Sequence, residues 1–198
     1  QALADLDRAV GPDVQALMLT KLAGADHVRL LDEHVATLES RRGLLVGGIR
    51  FVGMIETAGG LTQIDAIAGA CDRMAAITLG GEDLARECRM RSSEATLMHA
   101  KQSLVLAAAA AGIVPWGLLA SVVDFADETS FAQMANRSRD FGFRASTCQR
   151  AAQVEMVNRI YAPTDTEVAR ASHTVALAAG PDGWQVDRGE LAHAALGL

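Results

Sequence analysis

The chain has 198 residues, 50% of them hydrophobic and 21% charged, which is enough apolar material for one sizeable core and near the upper end for one compact domain. A formal net charge of −6, with aromatics scattered rather than interleaved with Lys and Arg, offers no basic stripe and excludes nucleic acid as an expected partner. Cys71, Cys88 and Cys148 form no Cys-x-x-Cys pair and cannot all pair within one chain, so free thiols in a reducing, cytoplasmic compartment are expected. No signal peptide is visible, and a first residue of Gln1 rather than Met leaves room for a natural N-terminus upstream.

Short apolar runs alternate with longer helix-patterned ones. VQALML (14–19) precedes DHVRLLDEHVATLESRR (26–42), where Val28, Leu31, Val35 and Leu38 recur at helical spacing. FVGMI (51–55) precedes LTQIDAIAGAC (61–71), and AAITL (75–79) precedes, after a loop, EATLMHAKQSLVLAAAAAG (94–112). IVPWGLLASVV (113–123) precedes ETSFAQMANRSRDFG (128–142), and FGFRASTC (141–148) precedes AAQVEMVNRIY (151–161). Near-continuously apolar strands separated by helices predict an α/β fold with a parallel sheet covered by helices. After YAPTDTEVARA (161–171), another helix, a break at AAGPDGW (178–184) and a short tail complete the chain. The expected division is a barrel-like domain over 1–179 and a lid-like tail over 180–198.

Residues 104–123, LVLAAAAAGIVPWGLLASVV, are uncharged and long enough to span a bilayer. Five consecutive alanines supply little hydrophobic drive, however, and Gly112 and Pro115 sit where a helix would stop and a strand begin. The segment is read as helix followed by strand, and no membrane association is expected.

Glu56 directly follows an apolar run that reads as a buried strand, in FVGMIETAGG (51–60). A carboxylate left unpaired there would be costly, so it must be neutralised, hydrogen-bonded or bound to a cation. The next strand ends in LGGEDLA (79–85), which places Glu82 and Asp83 after Gly80 and Gly81 at the same, carboxyl end of the sheet, where α/β folds gather their functional groups. Acids at the ends of successive strands suit a hard cation such as Mg²⁺, which takes one or two protein carboxylates plus waters and substrate oxygens. They equally suit loop acids satisfied by helix N-termini, and the spacing leaves both open.

These words, MIETAGGL (54–61), LGGEDLA (79–85), SSEATLMHAKQSLVLAAAAAGI (92–113) and AAQVEMVNRIYAPTDTEVARA (151–171), resemble in order the citrate lyase beta-subunit and malyl-CoA lyase family of HpcH/HpaI-type aldolases. The resemblance implies a TIM-type (β/α)₈ barrel with its later strand–helix units in this chain and its first strands expected to lie outside it. It implies Mg²⁺ as cofactor, with Glu56 and Asp83 as ligands and Glu82 beside them. Lys21, in MLTKL (18–22), resembles a family lysine at the same mouth, and Gly80, Gly81, Glu82 and Lys21 are the expected substrate-binding set. DGWQVDRGEL (182–191) resembles the family's lid motif and puts Asp187 at the place of a catalytic aspartate that reaches an adjacent subunit, which implies a homo-oligomer, a trimer or hexamer. The segment RASTCQRAAQ (144–153) departs from the family: Ser146, Gln149, Arg150 and Ala151 stand where a lysine and an Ile-His-Pro word are usual.

The implied reaction is cleavage or formation of a 3-hydroxyacyl-CoA thioester of the malyl-, citramalyl- or citryl-CoA type, giving an acyl-CoA and a 2-oxo acid. Two alternatives stay open at this stage. One is a lyase-like binding or assembly subunit without catalysis, favoured by the altered 146–151 segment. The other is a CoA thioesterase or a 2-oxo acid aldolase on the same metal site.

Overall fold

A computed structural model describes residues 2–121 and 127–180. The chain forms two compact units, Gln1–Ile160 and Tyr161–Leu198. In the first, β1 (Ala16–Leu19), β2 (Arg50–Ile55), β3 (Met74–Leu79) and β4 (Val114–Trp116) make one sheet in chain order, with each neighbouring pair parallel. Between them run α2 (Ala25–Arg41), then α3 (Ala58–Thr62) and α4 (Ile64–Ala68), then α5 (Gly81–Glu87) and α6 (Glu94–Ala111). α1 (Ala2–Ala9) precedes β1, and α7 (Glu128–Phe141) and α8 (Ala151–Tyr161) follow β4. Parallel strands joined in order by helical crossovers are the winding of a (β/α)₈ barrel, of which four strands stand among the described residues.

The sequence periodicity becomes packing directly. Val28, Leu31, Val35 and Leu38 are the buried stripe of α2, while Phe51, Ile55 and Ile77 are fully buried in β2 and β3. Residues 104–123 divide as their grammar predicts: α6 stops at Ala111 and Gly112 takes the left-handed conformation, with φ 67°, that glycine adopts without steric cost. Among the described residues no helix is long and apolar enough to cross a membrane.

Three elements differ from expectation. The helix expected over 61–71 is two short helices, because Gln63 leaves helical geometry (φ −117°) and its side-chain amide donates to the Ala23 carbonyl, 2.8 Å away. The strand expected over 113–123 spans only Val114–Trp116: Pro115 lacks an N–H, and beyond Trp116 the backbone of Leu119 is bonded to side chains, its N–H donating to Ser138 Oγ at 2.9 Å and its carbonyl accepting from Lys101 Nζ. The strand expected in 141–148 contributes one parallel bridge, Ala145 to Trp116, supported by Gly117 N–H to Ala145 O at 2.8 Å. In the second unit α9 (Asp165–Ala178) opens on a capping box: Glu167 N–H donates to Thr164 Oγ1 at 3.2 Å, and Thr164 N–H to Glu167 Oε2 at 2.7 Å.

At the amino end of β3, Arg73 holds a buried charge cluster that the sequence pattern gives no sign of. Its guanidinium donates to both oxygens of the fully buried Glu39, at 2.9 and 2.6 Å, to the Ile49 carbonyl at 3.0 Å, and to Asp32. Glu39 also accepts from the Gly47 and Ile49 amides at 2.8 and 2.9 Å, which ties the α2–β2 loop to the helix end. Burial works against the Glu39 charge, yet Arg73 and the two amides hold its carboxyl below the usual carboxylate range. With the pair so fully bonded, removing one partner strands a buried charge. Arg73→Met is therefore expected to cost about 3–5 kcal/mol in urea denaturation, and Arg73→Met combined with Glu39→Met to recover most of that loss. A single substitution that costs no more than the double one would contradict this account of the cluster.

Candidate functional site

Three strand ends meet at the carboxyl edge of the sheet. Ile55 and Leu79 are register partners in β2 and β3, and the Gly80 N–H continues the ladder by donating to the Ile55 carbonyl at 2.8 Å, so Glu56 and the Gly80–Asp83 turn emerge side by side. Past the end of β1, Lys21 turns into left-handed backbone (φ 52°), an uncommon conformation for a residue with a side chain. That turn aims its N–H at Glu56 Oε1, 2.8 Å away. Its ammonium lies 2.7 Å from Asp83 Oδ2 and 3.6 Å from Glu56 Oε2.

Glu56 is buried, whereas Lys21 and Arg86, the second cation on Asp83, are largely exposed. Hydrogen bonding to Asp83 raises the Lys21 pKa above the ordinary lysine value, and Lys21 followed by Arg86 holds the Asp83 carboxyl below the ordinary aspartate value. The Glu56 and Asp83 carboxyl groups thus face the same ammonium, and Arg86 adds a second cation on Asp83. Gly80 is what lets Glu56 stand there, because a Cβ on residue 80 would meet Glu56 Cβ at 2.6 Å and Oε2 at 3.0 Å.

The donor chemistry fits a hard divalent cation. Glu56 and Asp83 offer carboxylate oxygens, and an ammonium already bridges them. Among the described residues no group of three or more His, Cys, Asp or Glu is placed to hold a metal, so Glu56 and Asp83 would offer a partial oxygen shell, of the kind Mg²⁺ accepts. Glu82 does not join the pair: it turns to Ser92, whose hydroxyl donates to Oε1 at 2.8 Å.

Behind Gly80 and Gly81 a cavity of about 300 Å³ opens between the ends of β3 and β4, lined by Glu82, Asp83, Lys101, Trp116, Ser146 and Thr147 among others. Lys101 lies outside the set of site residues expected from the sequence. It projects from the buried face of α6 shared by Leu97, Ala100 and Leu104, where it is the one charged residue, and that placement was a legible signal. Burial pulls its pKa down to about 8, against the opposing pull of Glu94 and Glu82. Ser146 and Thr147 of the departing segment line the same cavity, while Gln153 Oε1 accepts the Gln149 and Arg150 amides at 2.9 and 3.1 Å and closes the start of α8. Asp187 lies outside the described residues.

The contact between Gly80 and Glu56 is open to a direct check. Gly80→Ala should destabilise by about 1–3 kcal/mol through overpacking. Gly59→Ala, in α3 with nothing within 4 Å of its added Cβ, should be neutral or stabilise by about 0.4–1 kcal/mol. Equal effects in urea denaturation would show that the close approach at Gly80 does not matter.

Comparison with known proteins gives a consistent result. A citrate lyase subunit beta from Haemophilus influenzae is 30% identical over 178 residues, which cover 89% of this chain and 60% of that protein. An L-malyl-CoA/beta-methylmalyl-CoA lyase from Cereibacter sphaeroides is 26% identical, over 88% of this chain and 60% of its own length. A solved citrate lyase from Burkholderia xenovorans superposes with a TM-score of 0.78 over 99% of this chain and 67% of its own; at 19% identity that likeness speaks for the fold alone. The chain spans about 60% of the length of the curated relatives it matches. Residues 1–151 match the family described as HpcH/HpaI aldolase/citrate lyase, and the chain belongs to that family.

Proposed function

We propose that the chain carries the metal-binding half of a Mg²⁺-dependent carbon–carbon lyase that cleaves or forms a 3-hydroxyacyl-CoA thioester, with an acyl-CoA and a 2-oxo acid on the other side of the reaction. The observation that carries this reading is the pair Glu56 and Asp83, set at neighbouring strand ends and bridged by one ammonium. Family membership supplies the reaction class, since the curated relatives are named as citrate lyase and malyl-CoA lyase chains. Mg²⁺ held by Glu56 and Asp83 would supply a Lewis acid for the 2-oxo acid portion of the substrate.

The chain's own groups have distinct tasks in this reading. Lys21, once displaced from the two carboxylates, would pair with the carboxylate of the incoming acid through its exposed ammonium. Gly80 keeps the backbone of β3 clear of Glu56, Gly81 lets the turn lie against Leu97, and Glu82, held by Ser92, lines the cavity beside Asp83. Asp187 is the proposed general acid/base that moves a proton at the thioester-side carbon, supplied by a neighbouring subunit of a homo-oligomer. Its support is the resemblance of 182–191 to the family's lid motif.

Calorimetry of Mg²⁺ binding tests the central part without needing turnover. Glu56→Gln and Asp83→Asn should each weaken binding about tenfold or more. Lys21→Met should strengthen it, because the substitution removes the cation that now bridges the pair. Unchanged affinity in both acid variants, or weaker binding in Lys21→Met, would contradict the assignment.

A further inference from the structure

Thr78 brings to the cavity at the ends of β3 and β4 a hydroxyl that the fold itself does not use. The residue is only 8% exposed, stands on β3 with Met54 of β2 and Trp116 of β4 as its register partners, and lines the cavity. Its strand neighbour Ile77 is fully buried and points to the opposite face of the sheet. Among the described residues the Thr78 hydroxyl makes no hydrogen bond. Trp116 Nε1 is the one side-chain polar atom among them that has neither a partner nor open surface. Thr78 Oγ1, equally without a partner, therefore keeps open surface, and the cavity is the space that it lines.

The other hydroxyls of the cavity wall are engaged or less buried. Ser92 donates to Glu82, Ser93 accepts from the Thr96 N–H at the start of α6, and Ser146 donates to the Thr147 carbonyl. Ser121 and Thr147 are more open than Thr78. Valine would suit β3 as well as threonine does, since both are β-branched, and it would leave no hydroxyl to be desolvated. The hydroxyl thus has no reason within the sheet. Water on such a group must be displaced when a ligand enters, and a ligand that cannot reproduce its hydrogen bond loses affinity.

Thr78 stands two residues before Gly80, and its register partner Met54 stands two before Glu56. That is about 6–7 Å along the strands from the layer that carries the candidate metal pair, within reach of the arm of a small acid held there. Glu82, Asp83 and Glu94 line the same cavity with Lys101, so an uncharged polar arm meets less repulsion than a second carboxylate would.

We propose that Thr78 is a specificity-determining residue, whose hydroxyl bonds an uncharged hydroxyl on the arm of the 2-oxo acid and selects that arm over an alkyl arm of the same size. The assignment rests on the proposed lyase site for the place of the acid's carboxylate end.

Hydroxypyruvate and 2-oxobutyrate test this directly, because their arms are of similar size and end in a hydroxyl and a methyl group. Calorimetry with Mg²⁺ present is expected to show hydroxypyruvate bound about threefold to tenfold more tightly. Thr78→Val should abolish the preference by weakening hydroxypyruvate, and Thr78→Ser, which keeps the hydroxyl, should retain most of it. The urea midpoint of Thr78→Val should equal or exceed that of the unsubstituted protein, because the lost hydroxyl bonds nothing in the fold; a structural hydroxyl would lower it.

Equal affinity for the two acids, a preference that survives Thr78→Val, a lowered urea midpoint in Thr78→Val, or no binding of either acid by the folded protein overturns the proposal. Glu56→Gln separates it from the lyase reading. Acid binding unmoved by Glu56→Gln, with the preference lost in Thr78→Val, removes the metal assignment and keeps Thr78; acid binding weakened by Glu56→Gln, with the preference intact in Thr78→Val, removes Thr78 and keeps the metal.

Discussion

The bridge from one lysine ammonium to two carboxylates at the ends of parallel strands is the constraint around which the rest of this edge is arranged. Glu56 is buried, and a buried carboxylate needs a cation and hydrogen bonds to stay charged. The Lys21 backbone N–H donates a hydrogen bond to it and the Lys21 ammonium lies nearby, with residue 21 in left-handed backbone, a conformation that L residues with side chains avoid. Gly80 must in turn lack a side chain for Glu56 to fit against β3. A left-handed backbone at residue 21 and the lack of a side chain at residue 80 together let these groups converge, and local backbone cost of the first kind is typical of sites rather than of scaffolds.

The opposite end of the sheet shows what a scaffold charge cluster looks like. Arg73 and Glu39 are both buried and bonded on nearly every available atom, including backbone groups of the α2–β2 loop. Nothing there is left to exchange. At the carboxyl end, by contrast, Lys21 and Arg86 are exposed cations on Asp83, and the buried indole of Trp116 has no partner among the described residues. Satisfied charge at the amino end and exchangeable charge at the carboxyl end follow the usual division of this architecture between stability and chemistry.

Much of this was legible in the sequence because hydrophobic period and strand ends carry it. The strand–helix alternation gave the parallel sheet, Gly112 and Pro115 divided the apolar 104–123 segment correctly, and an acid straight after FVGMI marked Glu56. The illegible parts depend on contacts distant in sequence. Nothing local shows that Arg73 will find Glu39, that Leu119 will give its carbonyl to Lys101 and its N–H to Ser138, or that Gln63 will reach back to Ala23, and those long-range bonds shorten β4 and split the helix after β2. Lys101 is an intermediate case. Its place on the apolar stripe of α6 was readable, while its neighbours Trp116 and Glu82 were not.

The central claim, that the strand ends at Glu56 and Asp83 form a cation site of oxygen donors with most of its shell left to water and substrate, is tested most directly by paramagnetic NMR with Mn²⁺ in place of Mg²⁺. The account predicts that substoichiometric Mn²⁺ broadens the amide signals of Lys21, Glu56, Gly80 and Gly81 before others, that Mg²⁺ reverses the broadening, and that the bound ion strongly enhances water proton relaxation because few of its positions are filled by protein. Broadening centred on another part of the chain, or none at these four amides at Mn²⁺ concentrations that saturate binding, would contradict it.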